Sequence, residues 1–94
     1  MTITAQRIFT RPNADVPFFQ GDVSWQEHMY TNYTLTGKRL GVHQTLSPDG
    51  LILTTVTQWK DQESLTEFRA DRVIQGPREE YCSQNGITIT DILE

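Results

Sequence analysis

Histidine is the residue type that exchanges a proton near neutral pH, and the chain has two, His28 and His43. Each could serve as a general acid or base, and each also reads as a surface or hydrogen-bonded structural side chain. Cys82 is the only cysteine. A thiol needs a base or a cation beside it to become a nucleophile. Its charged sequence neighbours are Glu79 and Glu80, which would raise its pKa, so an inert thiol is expected. No His-x-x-x-His or Cys-x-x-Cys spacing is present, so no metal site is expected. Gly-x-Ser-x-Gly, Gly-x-Gly-x-x-Gly and a phosphate-cradling glycine loop are missing too, so no bound cofactor is expected.

What remains is aromatic and cationic. Trp25, Tyr33, Trp59 and Phe68 could converge between helices and sheet. A flat apolar ligand wants such a surface, and so does a small core. Arg69 and Arg72 could grip a ligand carboxylate with both guanidinium nitrogens. With Glu67 and Asp71 nearby, they read equally as a solvated helix face.

The composition excludes several partners. Eight basic and twelve acidic residues leave a formal net charge of −4. The cations are scattered, whereas a phosphate-binding surface clusters them, so no nucleic-acid partner is expected. The longest apolar run of the central strand, Leu51-Ile52-Leu53, is far too short to span a bilayer, so no membrane attachment is expected. The opening residues, Met1-Thr2-Ile3-Thr4-Ala5-Gln6-Arg7, hold no apolar signal region, which predicts a cytoplasmic protein. On that basis the sequon Asn32-Tyr33-Thr34 is a chance match. Ninety-four residues, 36% hydrophobic and 10% aromatic, predict one folded domain over the whole chain, 1–94.

The positioning elements follow from periodicity and turn chemistry. Residues 2–10 are β-branched and alternate, which predicts a strand. Pro12, Pro17 and Gly21 mark a loop. Phe18 and Phe19 lie inside it and should pack, over the core or onto a partner chain. A helix is predicted from Asp22 or Ser24, with Ser24 and Glu27 spaced as a capping box. Trp25, Met29 and Tyr33 share one face of it, and Gly37 terminates it. Residues 40–46 predict a strand with Leu40, Val42 and Leu46 on one side, and 51–59 predict the next. Between them Ser47-Pro48-Asp49-Gly50 is a turn signal, so the two form a hairpin. Asp61 should cap a second helix. Its buried side is predicted to hold Leu65, Phe68 and Val73 or Arg72, and Gly76-Pro77 should break it. A short helix from Arg78 to about Gln84 and a strand over 87–93 complete the chain.

The order β-α-β-β-α-β predicts an α+β, ferredoxin-like fold: a four-stranded antiparallel sheet with helices on one face. In the third strand both phases are apolar, with Leu51, Leu53 and Trp59 in one and Ile52 and Val56 in the other. A sheet with one wet face would alternate more cleanly. The face without helices is therefore expected to pair with a second copy, forming a homodimer.

The hairpin Ser47-Pro48-Asp49-Gly50, the strand ending Thr57-Gln58-Trp59 and the following run Asp61-Gln62-Glu63-Ser64-Leu65-Thr66-Glu67-Phe68 together resemble the dimeric α/β-barrel superfamily. That group includes antibiotic-biosynthesis-monooxygenase-like domains. The motifs cover roughly residues 38–75, and the element order covers the chain. The resemblance implies two sheets packed back to back and a cleft between helices and sheet for an aromatic or haem-like compound, with Trp59 near it. Haem-degrading members place a histidine about ten residues beyond this tryptophan, where Arg69 stands, and an asparagine in the first strand, which has none here. These departures argue against haem degradation.

Two functions follow. One is a homodimeric ferredoxin-like protein with a binding or accessory role and no catalytic motif. The other is a cofactor-independent monooxygenase-like enzyme acting on a small aromatic or polyketide-like compound. Its cleft candidates are Trp25, His28, Tyr33, His43, Trp59, Phe68 and Arg72. A cavity of roughly several hundred Å³, lined by Trp59 and a histidine, would favour the enzyme.

Overall fold

In a computed structural model of the chain, residues 2–93 are described. Four strands, β1 (Ile3–Thr10), β2 (Arg39–Leu46), β3 (Ile52–Trp59) and β4 (Thr88–Leu93), form one antiparallel sheet in the order β2-β3-β1-β4. Three helices, α1 (Val23–Met29), α2 (Gln62–Ala70) and α3 (Arg72–Gln84), lie on one face. This is the expected ferredoxin-like arrangement.

The face under the helices is set by strand phase. Ala5 and Phe9 of β1 are buried, and the register pairs Ile3 with Trp59, Ala5 with Thr57, Arg7 with Thr55 and Phe9 with Leu53. Side chains opposite one another share a face, so these residues form the floor beneath the helices. The opposite face carries Thr4, Ile8, Thr54, Val56 and, half exposed, Ile52 and Ile92. The hairpin joining β2 to β3 turns as expected. Gly50 takes a left-handed φ of 76°, and its N–H donates to the Ser47 carbonyl.

Three local expectations change. Helix α1 is capped by Asp22, whose carboxylate accepts from the Trp25 N–H at 2.8 Å, and not by a Ser24–Glu27 box. The helix continues into a π-helical turn, Tyr30–Thr34, in which the Leu35 N–H reaches back to the Tyr30 carbonyl. Met29 and Tyr33 stay buried through this widened turn, with Trp25 packed beside them. In β2, a bulge at Leu40 interrupts the register, and Leu40, Val42 and Leu46 are each about half exposed because β2 is the edge strand.

The largest change concerns the second helical region, where the break falls at Asp71 and not at Gly76-Pro77. Asp71 leaves helical geometry with ψ 106°, and its side chain accepts from the Val73 N–H, capping α3. Pro77 lies inside α3. Proline has no N–H to donate to the carbonyl four residues earlier, so this turn has an unclaimed acceptor. That carbonyl belongs to Val73, and the neighbouring Ile74 carbonyl accepts from the Trp25 indole N–H at 2.9 Å. The new helix start also rotates the buried side. Ile74 is fully buried, while Val73 is exposed.

The core has two parts. Beneath α2, Trp59, Phe68 and Tyr33 meet with ring centroids 4.7, 5.2 and 6.0 Å apart. At the other end Phe9, Cys82 and Ile87 pack with Phe18, Leu53 and Tyr81. The loop after β1 is therefore folded onto the chain itself. Arg11 donates to the Gly50 and Val16 carbonyls and lies over the Phe18 ring.

Candidate ligand cleft

Between the helices and the exposed half of the sheet lies a cavity of about 920 Å³, open on one side. Its floor is Ala5, Arg7 and Phe9 of β1, Leu53, Thr55 and Thr57 of β3, and Val42 and Gln44 of β2. Its roof is Trp25 and Met29 of α1 with Leu65 and Phe68 of α2, and the loop residues Phe18 and Phe19 close one end. Phe19 meets Trp25 edge-on at 5.4 Å and Tyr81 at 5.7 Å. Gly21 matters here because a methyl group at that position would stand 2.2 Å from the Trp25 ring. The loop backbone thus presses directly on the indole.

The cleft wall also carries Arg7, Arg39, Arg69 and Arg78. Arg7 points from the floor phase of β1, and Asp91 faces it from β4. The guanidinium grips that carboxylate with Nε at 2.5 Å and Nη2 at 3.0 Å. Burial pushes the Asp91 carboxyl up, but the hydrogen bonds and charge of Arg7, with Arg69 and Arg78 behind, hold it below its ordinary value. Arg69 stands 3.9 Å from the same carboxylate.

Arg78 is different. Its Nη2 donates to Gln75 Oε1 at 2.8 Å, its Nε is buried with no partner, and its guanidinium lies over Phe9 and Phe68. No carboxylate among the described residues lies within ion-pair distance of it. Burial lowers its pKa to about 10. Gln75 is itself buried, and its Oε1 also accepts from Arg7 Nη1 at 2.7 Å while its Nε2 donates to the Phe68 carbonyl.

Of the side chains expected at the cleft, Trp25 and Phe68 line it. Trp59 is fully buried beneath it and touches the wall through its indole N–H, which donates to Thr57 Oγ1 at 2.8 Å. His43 pairs with Val56 and so sits on the opposite face of the sheet. Arg72 is exposed and bonds Glu79. His28 and Tyr33 line a separate hollow of about 350 Å³ with Asp71, Lys38 and Glu67. There Asp71 Oδ2 takes the Tyr33 hydroxyl at 2.6 Å and meets His28 Nε2 at 2.7 Å. Burial and then the Asp71 carboxylate push the Tyr33 pKa up. Burial tends to raise the Asp71 carboxyl, but the hydrogen bonds from Tyr33 and His28 outweigh it and hold the carboxyl low. The Cys82 thiol is raised by burial, and the charges acting on it are Arg78 and Arg7, which oppose the rise, in place of the expected glutamates.

Sequence reasoning missed Arg7, Gln75, Arg78 and Asp91. A signal was present for two of them. Arg7 shares the buried strand phase of Ala5 and Phe9, and Arg78 lies four residues from both Ile74 and Cys82, on the buried side of α3.

No protein family matches the chain, and no curated protein matches it in sequence. Solved structures match in fold. SnoaB, a cofactor-independent oxygenase from Streptomyces nogalater, is 14% identical over 99% of this chain and 90% of that one, with a TM-score of 0.70. A monooxygenase from the gene ActVA-Orf6 of Streptomyces coelicolor, solved with nanaomycin D, is 16% identical over 98% and 86%, with a TM-score of 0.58. An antibiotic biosynthesis monooxygenase is 13% identical over 100% and 96%, with a TM-score of 0.63. The chain thus has the fold of the superfamily its motifs resemble.

Proposed function

We propose that the chain is a cofactor-independent oxygenase that oxidises a flat, electron-rich phenolic compound in the cleft between helices and sheet. The observation that carries this reading is the cleft itself, an open cavity of about 920 Å³ with aromatic walls and a cationic inner wall. A volume of that order suits a polycyclic ligand.

Dioxygen is a triplet, and a closed-shell ring reacts with it slowly unless the ring can release one electron. An ionised phenol can. The cleft residues would help by holding the phenolate: guanidiniums in a partly desolvated wall favour the charged form. The proton leaves to water through the open side, so no histidine is required. One electron passes to dioxygen, the radical pair joins at the ring carbon opposite the oxygen, and the hydroperoxide loses water. For anthrone, in its enol form, one dioxygen yields one anthraquinone and one water.

Such chemistry needs no nucleophile, metal or phosphate-binding motif. The lack of those motifs, the basis for a binding or accessory role, therefore does not favour that role. The names of the structural neighbours point the same way. A homodimer formed through the helix-free sheet face fits this reading, because it would leave the cleft open.

The test is oxygen uptake with anthrone at pH 7. Uptake matched one to one by anthraquinone, without hydrogen peroxide, supports the reading. A rate equal to that of buffer alone would overturn it.

A further inference from the structure

We infer that Gln75 is a positioning residue that makes the inner end of the cleft select aromatic ligands bearing an oxyanion, by holding Arg78 as a cation without a counterion. This deepens the reading of the cleft as a ligand site and rests on it.

The geometry gives each group one task. Asp91 could have neutralised either arginine, but Arg7 occupies both of its oxygens. Gln75 Oε1 then bridges Arg7 Nη1 and Arg78 Nη2 at 2.7 and 2.8 Å. The orientation of the amide is determined, because Nε2 donates to the Phe68 carbonyl at 3.1 Å. An amide oxygen accepts from both guanidiniums without cancelling either charge. Arg78 is thus tethered beside Arg7, held over Phe9 and Phe68, and left without a carboxylate. An unpaired guanidinium in a desolvated wall is costly, and an anion arriving on a ligand relieves that cost. A flat ring lying along the aromatic walls would bring its oxyanion to this end. Glutamate at position 75 would have nearly the same shape and would supply the counterion from within.

The test compares two probes of nearly equal shape, anthraquinone-2-carboxylate and anthraquinone-2-carboxamide, titrated against Trp fluorescence in the wild type, Gln75→Glu and Gln75→Met. The wild type is expected to bind the carboxylate at least about tenfold more tightly than the amide, the size of one charge-assisted hydrogen bond. In Gln75→Glu that preference should fall to within about twofold. Gln75→Met removes the bridge without adding charge and should give an intermediate ratio. The ratio is the readout, since a purely structural role would shift both probes together. Equal binding of the two probes by the wild type, or an unchanged ratio in Gln75→Glu, overturns the inference and leaves the ligand cleft standing. If neither probe binds the wild type, both readings fail.

Discussion

Arg7 and Asp91 stand directly opposite each other on β1 and β4, and the guanidinium takes both carboxylate oxygens, at 2.5 and 3.0 Å. The pair closes the cationic wall of the cleft on one side and ties the last strand to the centre of the sheet on the other. Asp91→Asn keeps the shape and removes the charge. Because Asp91 retains 38% exposure, the expected loss is about 1–2 kcal/mol, below that of a fully buried pair. The folded-state pKa of Asp91 lies below its unfolded value. Its contribution is therefore present above the unfolded value and is lost as pH falls through the folded one. Urea unfolding between pH 7 and pH 3 should show a shallower decline in the variant than in the wild type. Parallel curves would show that the pair does not set the acid response.

A methyl group on Gly21 would collide with the Trp25 ring at 2.2 to 2.8 Å. Gly21→Ala should therefore displace the indole and cost about 1–3 kcal/mol. It should also break the hydrogen bond to the Ile74 carbonyl. Since Trp25 lines the cleft and Trp59 does not, the fluorescence response to a flat aromatic ligand should fall in Gly21→Ala and Trp25→Phe. An undiminished response in Trp25→Phe would mean that the ligand does not lie against Trp25.

Asp71 does two jobs at the junction of α2 and α3. One oxygen caps α3, and the other receives Tyr33 and faces His28. Tyr33→Phe should cost about 1–3 kcal/mol through the lost bond to a charged acceptor. The Tyr33 pKa is raised on folding, so its contribution is full below the unfolded value of 10.0 and fades as pH rises beyond it. An absorbance titration should find a tyrosine that ionises late, and Tyr33→Phe should remove it. A full complement of tyrosines ionising early would contradict the burial of this hydroxyl.

Sedimentation tests the second copy. At micromolar concentration the wild type should run as a dimer. Val56→Arg, at the middle of the helix-free face, should run as a folded monomer. A wild type that is already monomeric removes this proposal, whereas a dimer that survives the substitution places its contact on another face.

Much of the architecture was legible because its causes are local. Asp61 caps α2 through a neighbour three residues away, the turn at Ser47–Gly50 needs a proline and a glycine in order, and strand phase is a property of alternate residues. From such signals came the element order and the ferredoxin-like fold. Tyr33 and Phe68 of the aromatic core were legible for the same reason, since helical periodicity put each on a packed face, whereas the two apolar phases of β3 left the facing of Trp59 open. The helix break was misread because Pro77 lies inside α3, where it removes one backbone hydrogen bond without ending the helix. The stronger signal was Asp71, an aspartate able to accept from the N–H two residues on.

The cationic wall was not legible, and the reason is distance along the chain. Arg7 and Asp91 are 84 residues apart, and Arg7 and Gln75 are 68 apart. No spacing rule links them, because their meeting depends on β4 docking beside β1 and on α3 crossing over both. The same packing decided between readings that the residue types left open. Trp59 became core and Trp25 became wall. His43 went to the far face of the sheet, and His28 went to a separate hollow. Local chemistry was enough to choose the fold, but the cleft is assembled from three strands, three helices and a loop, and only their packing could place a cation inside it without a counterion.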